Sequence, residues 1–254
     1  NTPIDENNPE NFVNLLAYLN REQYGESPLL YGQQFNSPLD PNNQYLDGSP
    51  VYYPDERTGK YELADDRKQS KPNYHPDFKT IFPRMWSTKK NHVTAYKEWS
   101  GFEGKPVKYK DPSGRMNTIN KPTFGENMRF FFSYQVGWMY FRYFMWNFSG
   151  RQNDHQGHGD FLDGNWMTGI SFIDEAHVGN QKSLPEFELK QKARNFFFAI
   201  PFILGLLGMI YHFRKHAENA WVVLLLFFFT GLAIVLYLNQ YPFQPRERDY
   251  AYAG

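Results

Sequence analysis

The sequence predicts a membrane protein, mainly α, in which an extracytoplasmic region of mixed α/β or irregular loop structure is followed by a transmembrane helical hairpin. Three observations carry this. Polar residues dominate up to Arg194 and apolar residues from Asn195 to Leu238. Within the apolar part, residues 195–213 and 220–238 are two runs without a formal charge when His212 is neutral. At about 1.5 Å rise per residue, each nearly covers a hydrocarbon core of roughly 30 Å. Finally, only Arg214, Lys215, His216, Ala217, Glu218 and Asn219 join them, a connection that fits a tight helical turn.

Composition narrows the classes of partner. The chain of 254 residues carries 27 basic and 27 acidic side chains, so no net field draws it to nucleic acid or to an anionic surface. Aromatic residues make up 19% of it, a load that suits a membrane interface or a carbohydrate-facing surface. Cysteine is absent, which excludes disulfides, thiolate metal sites and cysteine nucleophiles. The start at Asn1-Thr2-Pro3, without an apolar leader, and the stop at Gly254 are expected of a piece of a longer protein.

In chain order, residues 1–127 read as an extracytoplasmic loop region. Asn8, Pro9 and Glu10 form a helix start, and Phe12, Leu15, Leu16 and Leu19 recur at helical spacing, so an amphipathic helix is expected over residues 9–22. Short strand-like runs at residues 50–53 and 60–63 flank Asp55-Glu56-Arg57-Thr58-Gly59 and predict a hairpin. A second pair is expected at residues 107–109 and 116–119, around Asp111-Pro112-Ser113-Gly114. Residues 128–148 are apolar and strongly aromatic but contain Arg129, Gln135 and Arg142. A mid-helix Arg costs about 2.5–3.5 kcal/mol on insertion scales, so a helix lying along the membrane surface is preferred there over a true span. Residues 149–194 form a polar loop, and residues 195–213 and 220–238 the two spans. Pro201 is expected to bend the first span, while Gly205, Gly208, Gly231 and Ala233 offer flat patches for neighbouring backbones. Residues 239–254 form an extracytoplasmic tail. Arg214 and Lys215 in the short connection place it in the cytoplasm and the large loop outside, although Lys190, Lys192 and Arg194 pull the other way.

Several side chains have the chemistry of a site. Asp154, His155, His158, Asp160 and Asp163 crowd one short segment, but their spacing matches neither a helical zinc pair nor a calcium-binding loop, and no metal is expected. Asp154, Asp160, Asp163, Asp174 and Glu175 are each able to take a proton from an acceptor hydroxyl, or simply to be solvated loop residues. Arg246 and Arg248, with Glu247 and Asp249, follow directly on the second span. Guanidinium groups at that height suit a lipid-linked phosphate, though charged and aromatic residues also anchor the end of any span. Arg142 and Arg151 are further phosphate candidates, or residues that snorkel to the interface. No residue is singled out as the catalytic base.

Several stretches together resemble one family. They are Asn7-Asn8-Pro9-Glu10, Leu19-Asn20-Arg21-Glu22-Gln23-Tyr24-Gly25, Pro28-Leu29-Leu30-Tyr31-Gly32-Gln33, Tyr143-Phe144-Met145-Trp146-Asn147-Phe148, Gly150-Arg151-Gln152-Asn153-Asp154, Tyr237-Leu238-Asn239-Gln240 and Pro245-Arg246-Glu247-Arg248-Asp249-Tyr250. This pattern is similar to a bacterial membrane-protein family of formerly unknown function related to the protein O-mannosyltransferases. The resemblance implies part of a multi-span glycosyltransferase fold of the GT-C type in the bacterial inner membrane, its large loop on the periplasmic side. It further implies transfer of a sugar, mannose above all, from a polyprenyl-phosphate carrier to Ser or Thr of exported proteins. Membrane lipid, the lipid-linked donor and the exported acceptors are the expected partners; neither nucleic acid nor another cofactor is. The catalytic carboxylate of such enzymes is expected upstream of Asn1. A non-enzymatic membrane scaffold or transport component with a partner-docking outer loop is the alternative.

Overall fold

The computed structural model describes residues 12–19, 27–55 and 57–243. The fold is mixed α/β with one apolar helical stretch long enough to cross a membrane. The described residues up to Thr88, with Glu103–Thr123, form one compact unit. Lys89–Phe102, with the described residues from Phe124 onward, form the second.

The first unit contains α1 (Phe12–Leu19), whose apolar Phe12, Leu15 and Leu16 are exposed; the rest of the helix expected over 9–22 lies outside the described residues. Eight short strands follow: β1 (Tyr31–Gln33), β2 (Tyr45–Leu46), β3 (Val51–Asp55), β4 (Lys60–Asp65), β5 (Lys71–Pro72), β6 (Lys79–Ile81), β7 (Lys105–Lys110) and β8 (Met116–Lys121). They pair antiparallel as β1–β6, β2–β5, β3–β4 and β7–β8. Turn chemistry explains the two hairpins. In the first, the Asp55 carboxylate accepts from Arg57 N at 3.0 Å and from Thr58 Oγ1 at 3.0 Å, and Gly59 takes a positive φ of 64°. In the second, Asp111 accepts from Ser113 Oγ and Arg115 N, both at 2.8 Å, ahead of Gly114 at φ 85°. Phe78, fully buried, centres the unit; the rings of His75 and Tyr109 meet it edge-on at 5.7 and 5.5 Å.

The second unit is built on a helix spanning residues 124–148. It comprises α3 (Phe124–Phe130), a π-helical stretch (Phe131–Phe141) and α4 (Arg142–Phe148); α2 (Lys90–Ser100) packs beside it. In the π stretch the ladder widens by one residue, so that Arg142 N donates to Gly137 O. Tyr96 meets Phe130 edge-on at 4.9 Å, and Trp99 meets Tyr134 at 5.3 Å. The left-handed Gly101 (φ 59°) closes α2, and Arg129 Nη1 donates to Ser100 O at 2.9 Å. Beyond α4 come β9 (Gly150–Arg151), α5 (Ser171–Val178), α6 (Glu186–Leu189), β10 (Asn195–Phe196), α7 (Ile200–Lys215), α8 (Ala217–Thr230) and α9 (Leu232–Leu238).

The apolar region departs from expectation at its start. Asn195 and Phe196 pair with β9 instead of entering a helix, and Phe198 and Ala199 turn the chain with φ of 53° and 54°. α7 therefore begins at Ile200, runs for 16 residues and is shorter than the expected span. Pro201 lies in its first turn, where a missing N–H costs nothing, so it starts the helix and does not bend it. Only His216 separates α7 from α8, a tighter link than the sequence suggested. Ala217–Leu238 is the one described stretch both long and apolar enough for a span, with mean hydropathy 2.6 and 11% of its apolar window buried. At Gly231, where the helix breaks, a Cβ would run into the Tyr140 ring, so the close approach of that ring requires glycine. Gly205 and Gly208, by contrast, face open space. Leu204, Val222, Leu226 and Phe229 are each more than 60% exposed, more apolar surface than water-facing helices carry. The 124–148 helix touches this region through Phe144, which meets Phe202 at 6.1 Å and Phe227 at 5.7 Å.

Candidate functional site

The loop following α4 is held by buried amides. Gly150, at φ 137°, is enclosed by Asn195 O, Met167 O and Phe196, so no larger residue fits. Gln152 Oε1 accepts from Asn165 N at 3.2 Å and Asn165 Nδ2 at 2.9 Å, while its Nε2 donates to Phe161 O at 3.0 Å. Asn153 Nδ2 donates to Leu162 O at 2.8 Å, and its Oδ1 accepts from Gly164 N at 2.7 Å. Two amide side chains thus satisfy the backbone of a segment that forms no ladder of its own, as buried polar backbone requires. The polar loop expected from sequence is fixed in shape.

Arg142 is buried within this arrangement. Its Nε donates to Trp138 O at 2.9 Å and its Nη1 to Gly164 O at 3.0 Å, and the guanidinium lies 4.6 Å from the Trp138 ring and 4.2 Å from the Trp146 ring. With 3% exposure it ties helix to loop, and it neither snorkels nor presents itself to a phosphate outside. Arg151 is different. It is half-buried, lies 4.2 Å from the Trp146 ring and donates from Nε to Asn153 O at 2.8 Å. Its two terminal nitrogens have no hydrogen bond among the described residues, so they are available to an anion. Arg151 pairs across an isolated bridge with Trp166, whose ring stacks on His177 at 4.4 Å. Burial pushes the His177 pKa down, with the Asp174 charge opposing.

The acidic candidates separate. Asp174 is buried and accepts from Thr168 N (2.7 Å), Thr168 Oγ1 (2.9 Å) and Gly169 N (2.8 Å), so it serves the fold. Asp160 accepts from Leu162 N at 2.9 Å and Asp163 N at 2.8 Å. Partial burial raises its pKa, but the surrounding backbone N–H groups outweigh that and hold the carboxyl below its usual range, which makes it a poor proton acceptor. Asp154 is exposed and accepts one hydrogen bond, from Gln191 Nε2 at 2.9 Å. Asp163 lies 3.2 Å from His155, and Glu175 is exposed on α5. His158 meets Phe243 at 4.9 Å. Among the described residues no group of three or more metal-ligating side chains is assembled. Arg246, Arg248 and Asp249 lie outside the described residues.

A second polar cluster lies at the end of α9. Gln135, fully buried on the π-helical stretch, donates from Nε2 to Asn239 Oδ1 at 3.2 Å and to Gln240 O at 2.9 Å. Asn239 ends α9 in the left-handed region, φ 42°. Gln135 Oε1 and both side-chain atoms of Gln240 are buried without a hydrogen-bond partner among the described residues. Each such orphan costs about 1–3 kcal/mol, so together they weigh heavily against a domain stability of about 5–15 kcal/mol. Tyr241 stacks on His92 at 4.2 Å, with Lys89 Nζ 5.6 Å from its ring; burial and then the Lys89 charge push the His92 pKa down. Sequence reasoning missed this cluster, having counted Gln135 only as a cost to a span. The signal available was the Asn239-Gln240 pair set directly after an apolar run.

Residues 25–132 match the model of a family of unknown function, DUF8416. No curated protein and no solved structure matches the chain.

Proposed function

We propose that the protein is part of an integral membrane glycosyltransferase of the bacterial inner membrane. It moves a sugar, mannose above all, from a polyprenyl-phosphate carrier to Ser or Thr of exported proteins at the periplasmic face. The observation that carries this reading is the junction at Leu238, where an exposed apolar helix meets a cluster of hydrogen-bonding side chains. A ligand with a hydrocarbon tail and a polar head fits such a junction, tail along the helix and head at the cluster. The motif resemblance supports the same reading, with α7 to α9 as part of a larger multi-span fold.

In this transfer the acceptor Oγ attacks the anomeric carbon, the bond from that carbon to the phosphate oxygen breaks, the carrier phosphate leaves and the Oγ proton passes to a base. Arg151, whose terminal nitrogens make no hydrogen bond among the described residues, suits the departing phosphate; Arg246 and Arg248 are assigned the same task. Of the loop carboxylates, Asp154 suits a proton acceptor better than Asp160. The second reading, a scaffold, is favoured by the exposed Tyr52, Tyr53 and Tyr61 on the β3–β4 hairpin, a surface fit for a protein partner.

The test is transfer of labelled mannose from polyprenyl-phosphate mannose to exported proteins, in membranes with and without the full-length protein. Protein-dependent transfer is expected. No transfer with any of several carrier sugars, alongside co-purification of a stable partner, would establish the scaffold instead.

A further inference from the structure

We infer that Gln135 and Gln240 form a recognition site for the neutral, hydroxyl-bearing ring of a sugar, separate from the guanidinium that meets the anionic group. The identity of the natural ligand rests on the proposed transferase reading. Gln135 Oε1 and Gln240 Oε1 are acceptors and Gln240 Nε2 is a donor, all buried and without a hydrogen-bond partner among the described residues. An anion would face two acceptors, and a cation would face the amide N–H groups. A hydroxyl both donates and accepts, and neighbouring hydroxyls on a ring present that pairing twice over. Exchanging the amide O and N of Gln240 leaves the mixture unchanged, and the orientation of Gln135 is set by the two oxygens its Nε2 donates to.

The surroundings agree. Gln135 is anchored through Nε2 to Gln240 O and Asn239 Oδ1, so its remaining oxygen is held in a fixed position. Tyr241 follows directly in the chain, its ring stacked on His92 with Lys89 Nζ 5.6 Å from its centroid. The orphan atoms are closed to solvent in this structure, so admission of a ring requires local opening at residues 239–243. Ordered water is the other source of hydroxyl chemistry, and the experiment separates the two.

Gln240→Leu is the informative variant, because the side chain it removes makes no hydrogen bond within the described fold. The full-length protein in nanodiscs is titrated with methyl mannoside, methyl glucoside and methyl galactoside, with polyprenyl-phosphate mannose, and with sugar-free polyprenyl phosphate. Wild type is expected to bind at least one glycoside. Gln240→Leu is expected to weaken that binding, and to raise KM for the lipid-linked donor, at least tenfold. Its affinity for sugar-free polyprenyl phosphate is expected to stay at the wild-type value, and its unfolding temperature to equal or exceed that of wild type, because two buried orphan atoms are removed. Gln135→Leu serves as a second variant, losing both binding and fold stability. Wild-type binding that Gln240→Leu leaves within twofold would assign the cluster to water and overturn the inference. Glycoside binding lost in Gln240→Leu, in a protein with no transfer activity, would uphold the site and overturn the transferase reading. Failure of wild type to bind any glycoside or donor would overturn both.

Discussion

Replacing Asn153 by Leu is expected to release the loop after α4 while leaving the helices in place. Asn153 is 1% exposed and supplies two bonds, from Nδ2 to Leu162 O and from Gly164 N to its Oδ1. Leucine offers neither. Leu162 is exposed, so water can replace the lost donor at its carbonyl at little cost. The Gly164 N–H is in a buried bond, and stripping its acceptor leaves a loss of about 2–3 kcal/mol. At about 1.4 kcal/mol per decade this corresponds to roughly 30- to 150-fold faster exchange. Hydrogen–deuterium exchange on the full-length protein in nanodiscs reads this directly. The amides of Gly164, Asn165 and Met167 should accelerate together, because Asn165 N and Met167 N bond within the same loop, to Gln152 Oε1 and Gly150 O. Val93 N, bonded to Lys89 O in α2, should not change. A Gly164 amide that exchanges within threefold of wild type would refute the view that this side chain holds the loop.

Three further outcomes follow from the same geometry. Asp174→Ala strips the acceptor from two backbone N–H groups and one hydroxyl, and should cost about 2–4 kcal/mol in denaturant unfolding, with Asp174→Asn costing less. Gly150→Ala should prevent accumulation of folded protein, since a Cβ at φ 137° would lie 2.9 Å from Met167 O and closer still to Asn195 O; normal yield and unfolding temperature would contradict this. His177, buried toward its neutral form, is protonated more readily in the unfolded chain. Its contribution is therefore full above about pH 6.5 and is lost as pH falls toward the depressed folded value. Unfolding temperatures at pH 7.5 and pH 5.5 should differ more in wild type than in His177→Gln.

Local chemistry made some of this fold legible and distance hid the rest. The β3–β4 and β7–β8 hairpins lie where Asp and Gly stand at turn spacing, because the bonds of Asp55 and Asp111 span only a few residues. The start of α7 was not legible. Phe196, Phe197 and Phe198 are as apolar as a span, and hydropathy does not register that Phe196 faces Gly150 across a strand pair. The winding of residues 131–141 escaped a reading based on a 3.6-residue period, which is why the inward turn of Gln135 was not foreseen. In the polar loop after α4, order comes from Gln152, Asn153 and Arg142 reaching residues 9 to 22 positions away, which no local pattern of Asn, Gly and Asp registers. The pairing of Gln135 with Asn239 spans 104 positions, and no local pattern announces it.

The strand pair that delays α7 also makes two helices of unequal length stand side by side. At about 1.5 Å per residue, the 16 residues of α7 extend roughly 24 Å, whereas the 22 residues of Ala217–Leu238 extend roughly 33 Å. Were both helices to cross a bilayer, as the proposed transferase reading has it, one thickness could not match both. Around α7 the lipid would have to thin or be met by the phenylalanines ahead of it, while around its partner it would relax to full depth. Under the proposed membrane reading, such a step in thickness would make the helix pair responsive to acyl-chain length, favouring the thinner membranes in which α7 is fully covered.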